Sequence, residues 1–430
     1  MPSFRLSPLA LALLAGPLAA QDAPADQRLK DLERKVEILS RELESQRTGS
    51  VVPAAKEEGK FGLGSAASKV YETKGGLSIG GYGEFLYARP ETKLQDGTPA
   101  PKETSLDALR LVLYTGYKFS DRVVFNSEVE FEHGGYSDES KEGEVKVEFA
   151  YLDFLLNPAF NVRAGMMLLP VGFINELHEP PAFLGSRRPL VERRIIPSTW
   201  HENGVGIHGD LAGNLSYRLY VVNAMNANPD EEAGHEGFTA TSIKGGRQFG
   251  KEAKANHLAW TGRLDWAPMP GSTVGFSFYT GNSNPEDGAA KLTTTLWDVH
   301  AEYRARGLQV RGLYSRIKND RDGVAALPVA SEAYATGTRQ FGGYLEVGYD
   351  VLSGTGKQSL VPFVRFERLN SQQEVVAGLT PDRANDVTVK TVGLSFKPIP
   401  NVAVKADWNR IENAARTGRN EFDLGLGFYF

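Results

Sequence analysis

Four arginines, Arg187, Arg188, Arg193 and Arg194, are gathered in one short stretch that also holds Glu176, Glu179 and Glu192. A guanidinium presents a planar fork of N–H donors that matches carboxylate and phosphate geometry. Arginines collected at a narrow place therefore concentrate anions and grip them by paired bonds. The same side chains have a plainer use, pairing with the neighbouring glutamates or lying in a subunit interface, and residue types alone leave both uses open. Apolar Phe173, Phe183, Leu184, Ile195 and Ile196 in the same stretch imply that it packs against something.

Other chemistry is thin. His178, His201 and His208 lie near Glu179 and Glu202, but their spacing matches no metal signature, so no metal centre is expected. No Ser/His/Asp arrangement stands out, and no Gly-rich cradle leads from a strand into a helix. The expectation is a protein without catalytic residues or cofactor. A net charge of −5 lacks the basic footprint that nucleic acid requires.

The elements that position the arginines begin after an export signal. Residues 1–20 carry Arg5, an apolar run from Leu9 to Leu14 and then small residues to Ala20, the layout of a secretory signal peptide. The chain has Cys 0, so no disulfide supports the exported fold. Across residues 26–47, Leu29, Leu32, Val36, Leu39 and Leu43 repeat at spacings of three and four, a heptad pattern that predicts a short periplasmic coiled coil. Residues 48–74 turn rich in Gly, Ala, Ser and Lys without periodicity and read as a linker.

From Gly75 to Phe430 the period is two. Leu77, Ile79, Phe85 and Tyr87 share one face against Ser78, Tyr82 and Glu84, and Val123, Phe125, Val129 and Phe131 oppose Glu128, Glu130 and Glu132. The runs number about sixteen, an even count as single-chain bacterial barrels require. Connections alternate: tight ones, such as 120–122, 157–159 and 398–400, and long polar ones, of which 170–202 carries the arginines. Strict alternation of short and long belongs to an up-and-down transmembrane barrel over residues 75–430, since Greek-key sandwiches scramble connection lengths.

The face opposite the apolar one is ionic, with Arg163, Arg218, Arg263, Arg311, Arg365, Lys405, Glu128 and Glu130. Turned toward lipid, each mid-membrane Arg or Lys would cost about 2–4 kcal/mol, so these side chains are expected to line a wet interior. Aromatic residues near strand ends, among them Tyr117, Trp260, Trp266 and Trp408, suit the membrane interface.

The chain resembles the phosphate-selective porin O and P family and related trimeric outer-membrane porins with an N-terminal coiled coil. The likeness is carried by GGYGEF from Gly80, EVEFEH from Glu128, EFAYLDF from Glu148, RAGMMLLPVGFINELHEPPAF from Arg163 and PFVRFERLN from Pro362. The terminal EFDLGLGFYF, ending in Phe430, looks like the signal read by barrel-assembly machinery. The resemblance implies a sixteen-stranded trimer in outer-membrane lipid, with its third long loop folded inward. It also implies passive diffusion of small hydrophilic, anionic solutes such as phosphate or carboxylates. Where phosphate-selective members carry a lysine ladder, this sequence mixes signs and is rich in Glu128, Glu130, Glu132 and Glu148. A structural outer-membrane anchor with a plugged barrel is the other reading.

Overall fold

The structure, a computed structural model, describes residues 30, 32–40, 59–134, 143–230, 235–286 and 288–430. The chain divides into two units, 1–49 and 50–430. In the first, residues 32–40 are helical, with the heptad residues Leu32, Val36 and Leu39 exposed. The signal segment 1–20, the heptad positions Leu29 and Leu43, and residues 48–58 lie outside the described residues.

The second unit is a closed antiparallel barrel of sixteen strands in chain order. The first eight are β1 (Gly76–Pro90), β2 (Ser105–Ser120), β3 (Val123–Glu132), β4 (Glu144–Asn157), β5 (Phe160–Leu168), β6 (His201–Leu211), β7 (Leu215–Asn223) and β8 (Leu258–Trp266). The remainder are β9 (Ser272–Asn282), β10 (Thr293–Ala305), β11 (Leu308–Asn319), β12 (Arg339–Tyr349), β13 (Ser359–Glu374), β14 (Asp386–Ile399), β15 (Val402–Asn413) and β16 (Glu421–Tyr429). Each pairs with its sequence neighbours, and β16 closes on β1 in the register Tyr82↔Tyr429 to Pro90↔Glu421. The terminal residue extends that seam, since Phe430 N donates to Gly81 O at 2.9 Å and Gly81 N donates to Phe430 O at 3.2 Å. Closure leaves no edge, so every strand has a partner on both sides.

Period two sorts the side chains as the sequence implies. On β13, Arg365, Glu367 and Leu369 are buried inside, whereas Val364 and Phe366 are exposed outside. The exposed outer set continues around the wall with Leu111, Trp260, Phe276, Leu345, Val392 and Leu424. Such a continuous apolar exterior over a polar interior is an inside-out arrangement that only an apolar surrounding stabilises.

The stretch read as a linker differs from expectation in its described part. Residues 59–74 pack inside the barrel, with Leu63, Ala66, Ala67, Val70 and Tyr71 buried. The reason is chemical: these small and apolar residues find a wall notched by glycine. A Cβ on Gly116 of β2 would lie 2.6 Å from Val70 Cγ2, so the segment sits closer than any other residue permits.

Val364→Arg places a guanidinium on the outer face and should destabilise the folded barrel in lipid vesicles by about 2–4 kcal/mol. Denaturant titration of the folded fraction measures this, and an unchanged midpoint would mean that the face does not meet lipid.

Candidate functional site

The connection between β5 and β6 turns inward and crosses the interior. Its neck is closed by Leu169 N donating to Trp200 O at 2.9 Å. Asn175 staples the base: its Nδ2 donates to the carbonyls of Leu169 (2.7 Å) and Trp200 (2.9 Å), while its Oδ1 accepts from Trp200 N at 2.6 Å. Trp200 is fully buried and packs on Tyr279 with ring centroids 4.6 Å apart.

Beyond the neck, the loop is held by wall residues on far strands. Glu192 Oε2 accepts from the backbone of Phe173 and Ile174, each at 2.7 Å, and Glu192 Oε1 accepts from Tyr344 Oη of β12 at 2.6 Å. Glu367 of β13 accepts from Val191 N at 3.0 Å, and Asp407 of β15 accepts from Ser186 N at 2.5 Å. Lys405 donates to Pro180 O (2.6 Å) and Gly185 O (2.9 Å), and Arg311 donates to Ala182 O (3.2 Å). The wall is again notched, because a Cβ on Gly427 of β16 would lie 2.3 Å from Pro180 Cβ. A chain leaving β5 and docking on β12, β13 and β15 spans the interior. Burial raises the Glu192 carboxyl above its usual range, against the bonds it accepts.

The segment 59–74 meets this loop. Glu179 Oε1 accepts from Ala66 N at 2.9 Å and Ala67 N at 3.1 Å, while burial pushes its carboxyl up to about 7. Tyr71 Oη donates to Asp153 of β4 at 2.6 Å, and Asn126 of β3 donates to Ala67 O at 2.8 Å. Loop and segment together fill the interior beside β1–β6.

Two cavities border the loop. One, of about 660 Å³, opens at the short-connection end and is lined by Glu176, Arg218, Arg263, Glu302, Lys357 and Lys397, with Pro181 and Ala182 of the loop. The other, of about 210 Å³, lies toward the long connections, between loop residues Arg187, Arg188 and Arg193 and the wall residues Arg365, Glu367, Glu421 and Asp423.

The four loop arginines do not form a single ring. Arg187 reaches Glu421 at 2.8 Å and Asp423 at 3.2 Å, and these carboxylates hold its pKa up although burial opposes them. Arg188 donates to His178 O at 3.5 Å and Arg193 to Arg188 O at 3.1 Å. Burial, together with the charge of Arg187, lowers Arg193 to about 10, which leaves it cationic at neutral pH. Arg194 is separate, donating to Asn385 Oδ1 at 3.1 Å.

The wall residues expected to line the interior all point inward, yet few face open space. Arg218 and Arg263 border the larger cavity and Arg365 the smaller. Arg163 is buried against Asp153 at 2.8 Å, Lys405 and Arg311 are spent on loop carbonyls, and Glu128 and Glu130 are buried in the packed half. The sequence alternation already turned Glu302 inward, while sequence reasoning missed Lys357 and Lys397 at the larger cavity and Glu421 and Asp423 at the smaller. The alternation of β16 already turned Glu421 and Asp423 inward and was the signal available for them.

No family profile matches the chain. An uncharacterized protein of Aquifex aeolicus (strain VF5) is 40% identical over 357 residues, covering 81% of this chain and 79% of that protein. The chain belongs to its family. Among solved structures, OmpF of Salmonella typhi in complex with daunomycin is similar at TM-score 0.54 and 12% identity, over 83% of this chain and 98% of that one. An anion-selective porin from Comamonas acidovorans gives TM-score 0.53 at 12% identity, over 82% of this chain and 99% of that one. The outer membrane channel DcaP of Acinetobacter baumannii gives 0.52 at 11%, over 82% and 97%. The family member thus shares the fold of the porins, a closed sixteen-stranded barrel.

Glu192→Ala removes the acceptor for two backbone amides and one hydroxyl, and should cost about 2–4 kcal/mol locally. Limited trypsin digestion checks it: Arg187 and Arg193 should become cleavable in the variant and resist in the parent. Equal resistance in both would mean that other contacts alone hold the loop.

Proposed function

We propose that this protein is an outer-membrane diffusion channel in which the loop 170–200 and the segment 59–74 narrow a water-filled path for small hydrophilic, anionic solutes. The observation that carries the reading is the pair of charged cavities separated by an inward loop within a closed barrel. An apolar exterior places such a barrel in lipid, and an ionic interior that is not fully packed admits water. At the smaller cavity Arg187, Arg188, Arg193 and Arg365 face Glu367, Glu421 and Asp423, so the cations outnumber the carboxylates by one. That balance supports a mild anion preference rather than a strong one.

Kinship with the phosphate-selective porin O and P family is part of this reading, as are insertion by barrel-assembly machinery reading Phe430 and self-association as a homotrimer. The exposed Leu32, Val36 and Leu39 of helix 32–40 support self-association.

A specific observation favours the anchor reading as the second choice. Part of the interior is filled with apolar side chains, including Phe149, Met167, Ile174, Trp200, Phe238 and Tyr279, all fully buried. A barrel filled this far conducts poorly.

Single-channel recording under a salt gradient separates the two. The parent should conduct with a reversal potential on the anion side. Arg187→Ser, Arg188→Ser and Arg193→Ser combined should move that potential toward the cation side, because Arg365 alone would then face three carboxylates. No conductance from folded protein would support the anchor instead.

Gly116→Leu should displace Val70 and the segment behind it, raising conductance by roughly half or more, as expected where the narrowest part sets the resistance. Unchanged conductance would show that segment 59–74 lies off the path.

A further inference from the structure

The loop crosses one place where charge does not balance. His178, on the loop, lies against Glu128 of β3 and Glu148 of β4: Nε2 is 3.1 Å from Glu128 Oε1 and 3.5 Å from Glu148 Oε2. Glu128 and Glu148 are each 0% exposed and His178 2%. Neighbouring cations are committed elsewhere. Arg110 approaches Glu130 (3.3 Å), Glu132 (3.4 Å) and Glu84 (3.6 Å), and Lys146 approaches Glu132 (3.1 Å), Glu144 (3.1 Å) and Glu130 (3.4 Å). Arg188 donates to the His178 carbonyl, and Arg247 donates to Ser198 O and Thr199 Oγ1. Among the described residues, both oxygens of Glu148 and Oε2 of Glu128 are buried without a hydrogen-bond partner.

The imidazole sharpens the imbalance. His178 Nδ1 lies 2.9 Å from the Asn175 carbonyl oxygen, which only accepts, so Nδ1 carries the hydrogen. In the neutral ring Nε2 is then a bare lone pair, aimed at two carboxylates. Three acceptors facing one another in a buried site repel unless a cation or a shared proton lies among them.

We propose that Glu128, Glu148 and His178 bind a divalent first-row transition-metal ion, with Zn²⁺ as the representative. The three donor atoms lie within 4.8 Å of one another. Metal–ligand bonds of about 2.0–2.1 Å in a tetrahedron set ligand atoms about 3.3 Å apart, and the two Nε2–carboxylate distances bracket that value. An imidazole oriented through its other nitrogen by a carbonyl is the arrangement metal sites use to fix the ligating tautomer. One nitrogen and two carboxylate oxygens suit Zn²⁺, Mn²⁺ or Fe²⁺ better than Ca²⁺, which takes six or more oxygens. The ion ties the crossing loop to β3 and β4, and the assignment does not depend on the channel reading.

The test uses the full chain unfolded with chelator, refolded in detergent, given Zn²⁺ and desalted before elemental analysis. The parent should retain one Zn²⁺ per chain and melt several degrees higher with metal than without. Glu148→Gln and His178→Gln should each raise the Zn²⁺ dissociation constant by at least about 100-fold, while Glu130→Gln, aimed at Arg110, should not. Co²⁺ bound to the parent should give the intense visible bands of a four-coordinate site, a readout that needs no variant to fold. A parent that retains no metal, or shows only the aqua-cobalt spectrum, overturns the assignment. Zn²⁺ retained equally by Glu148→Gln and His178→Gln overturns it as well.

Discussion

The seam between β1 and β16 is the constraint on which the rest depends. In hydrocarbon an unpaired backbone N–H or C=O costs several kcal/mol, and an open sheet of this length would present a whole row of them. The nine residue pairs from Tyr82↔Tyr429 to Pro90↔Glu421 remove that row, and Phe430 lengthens the seam through Gly81. Once the sheet is closed, alternation obliges every second side chain to face lipid and the others to face inward. The apolar exterior and the ionic interior therefore follow from one set of backbone bonds.

Closure creates a second problem. The interior of a sixteen-stranded barrel is too wide for wall side chains to fill. Here it is occupied by the chain itself: the loop that leaves β5 and returns through β6, and the segment 59–74 that precedes β1. Both carry backbone polar groups into the interior, and both find partners there. Glu192, Glu179, Asp407, Glu367 and Lys405 each bind loop or segment backbone. Glycines at 116 and 427 allow the inserted chain to approach the wall. Much of the interior charge is thus structural, spent on holding inserted backbone, and a smaller part faces the two cavities.

The same insertion explains where charge is concentrated without balance. On the crowded side the loop drives His178 into a wall already dense with carboxylates on β3 and β4, where Arg110 and Lys146 pair with Glu130. On the open side Arg187 and Arg365 are paired, and the cavities are bordered by residues of both signs. A packed half and an open half within one barrel are the physical basis for weighing a narrow channel against an anchor.

The sequence by itself determined the barrel. Period-two alternation and strict alternation of short and long connections are local patterns, each dictated by one strand and one turn at a time. They located all sixteen strands to within a few residues. They also assigned Arg163, Arg218, Arg263, Arg311, Arg365, Lys405, Glu128 and Glu130 to the inner face, because facing follows from parity alone. Tertiary structure decided what those side chains do. The partners of Arg187 are Glu421 and Asp423, more than two hundred residues away, and the carboxylates beside His178 come from β3 and β4 and not from the adjacent Glu179. The segment 59–74 looked like a spacer because its small residues carry no periodicity. It packs because Gly116 and its neighbours on the curved wall leave room for it, and only closure of the sheet creates that wall.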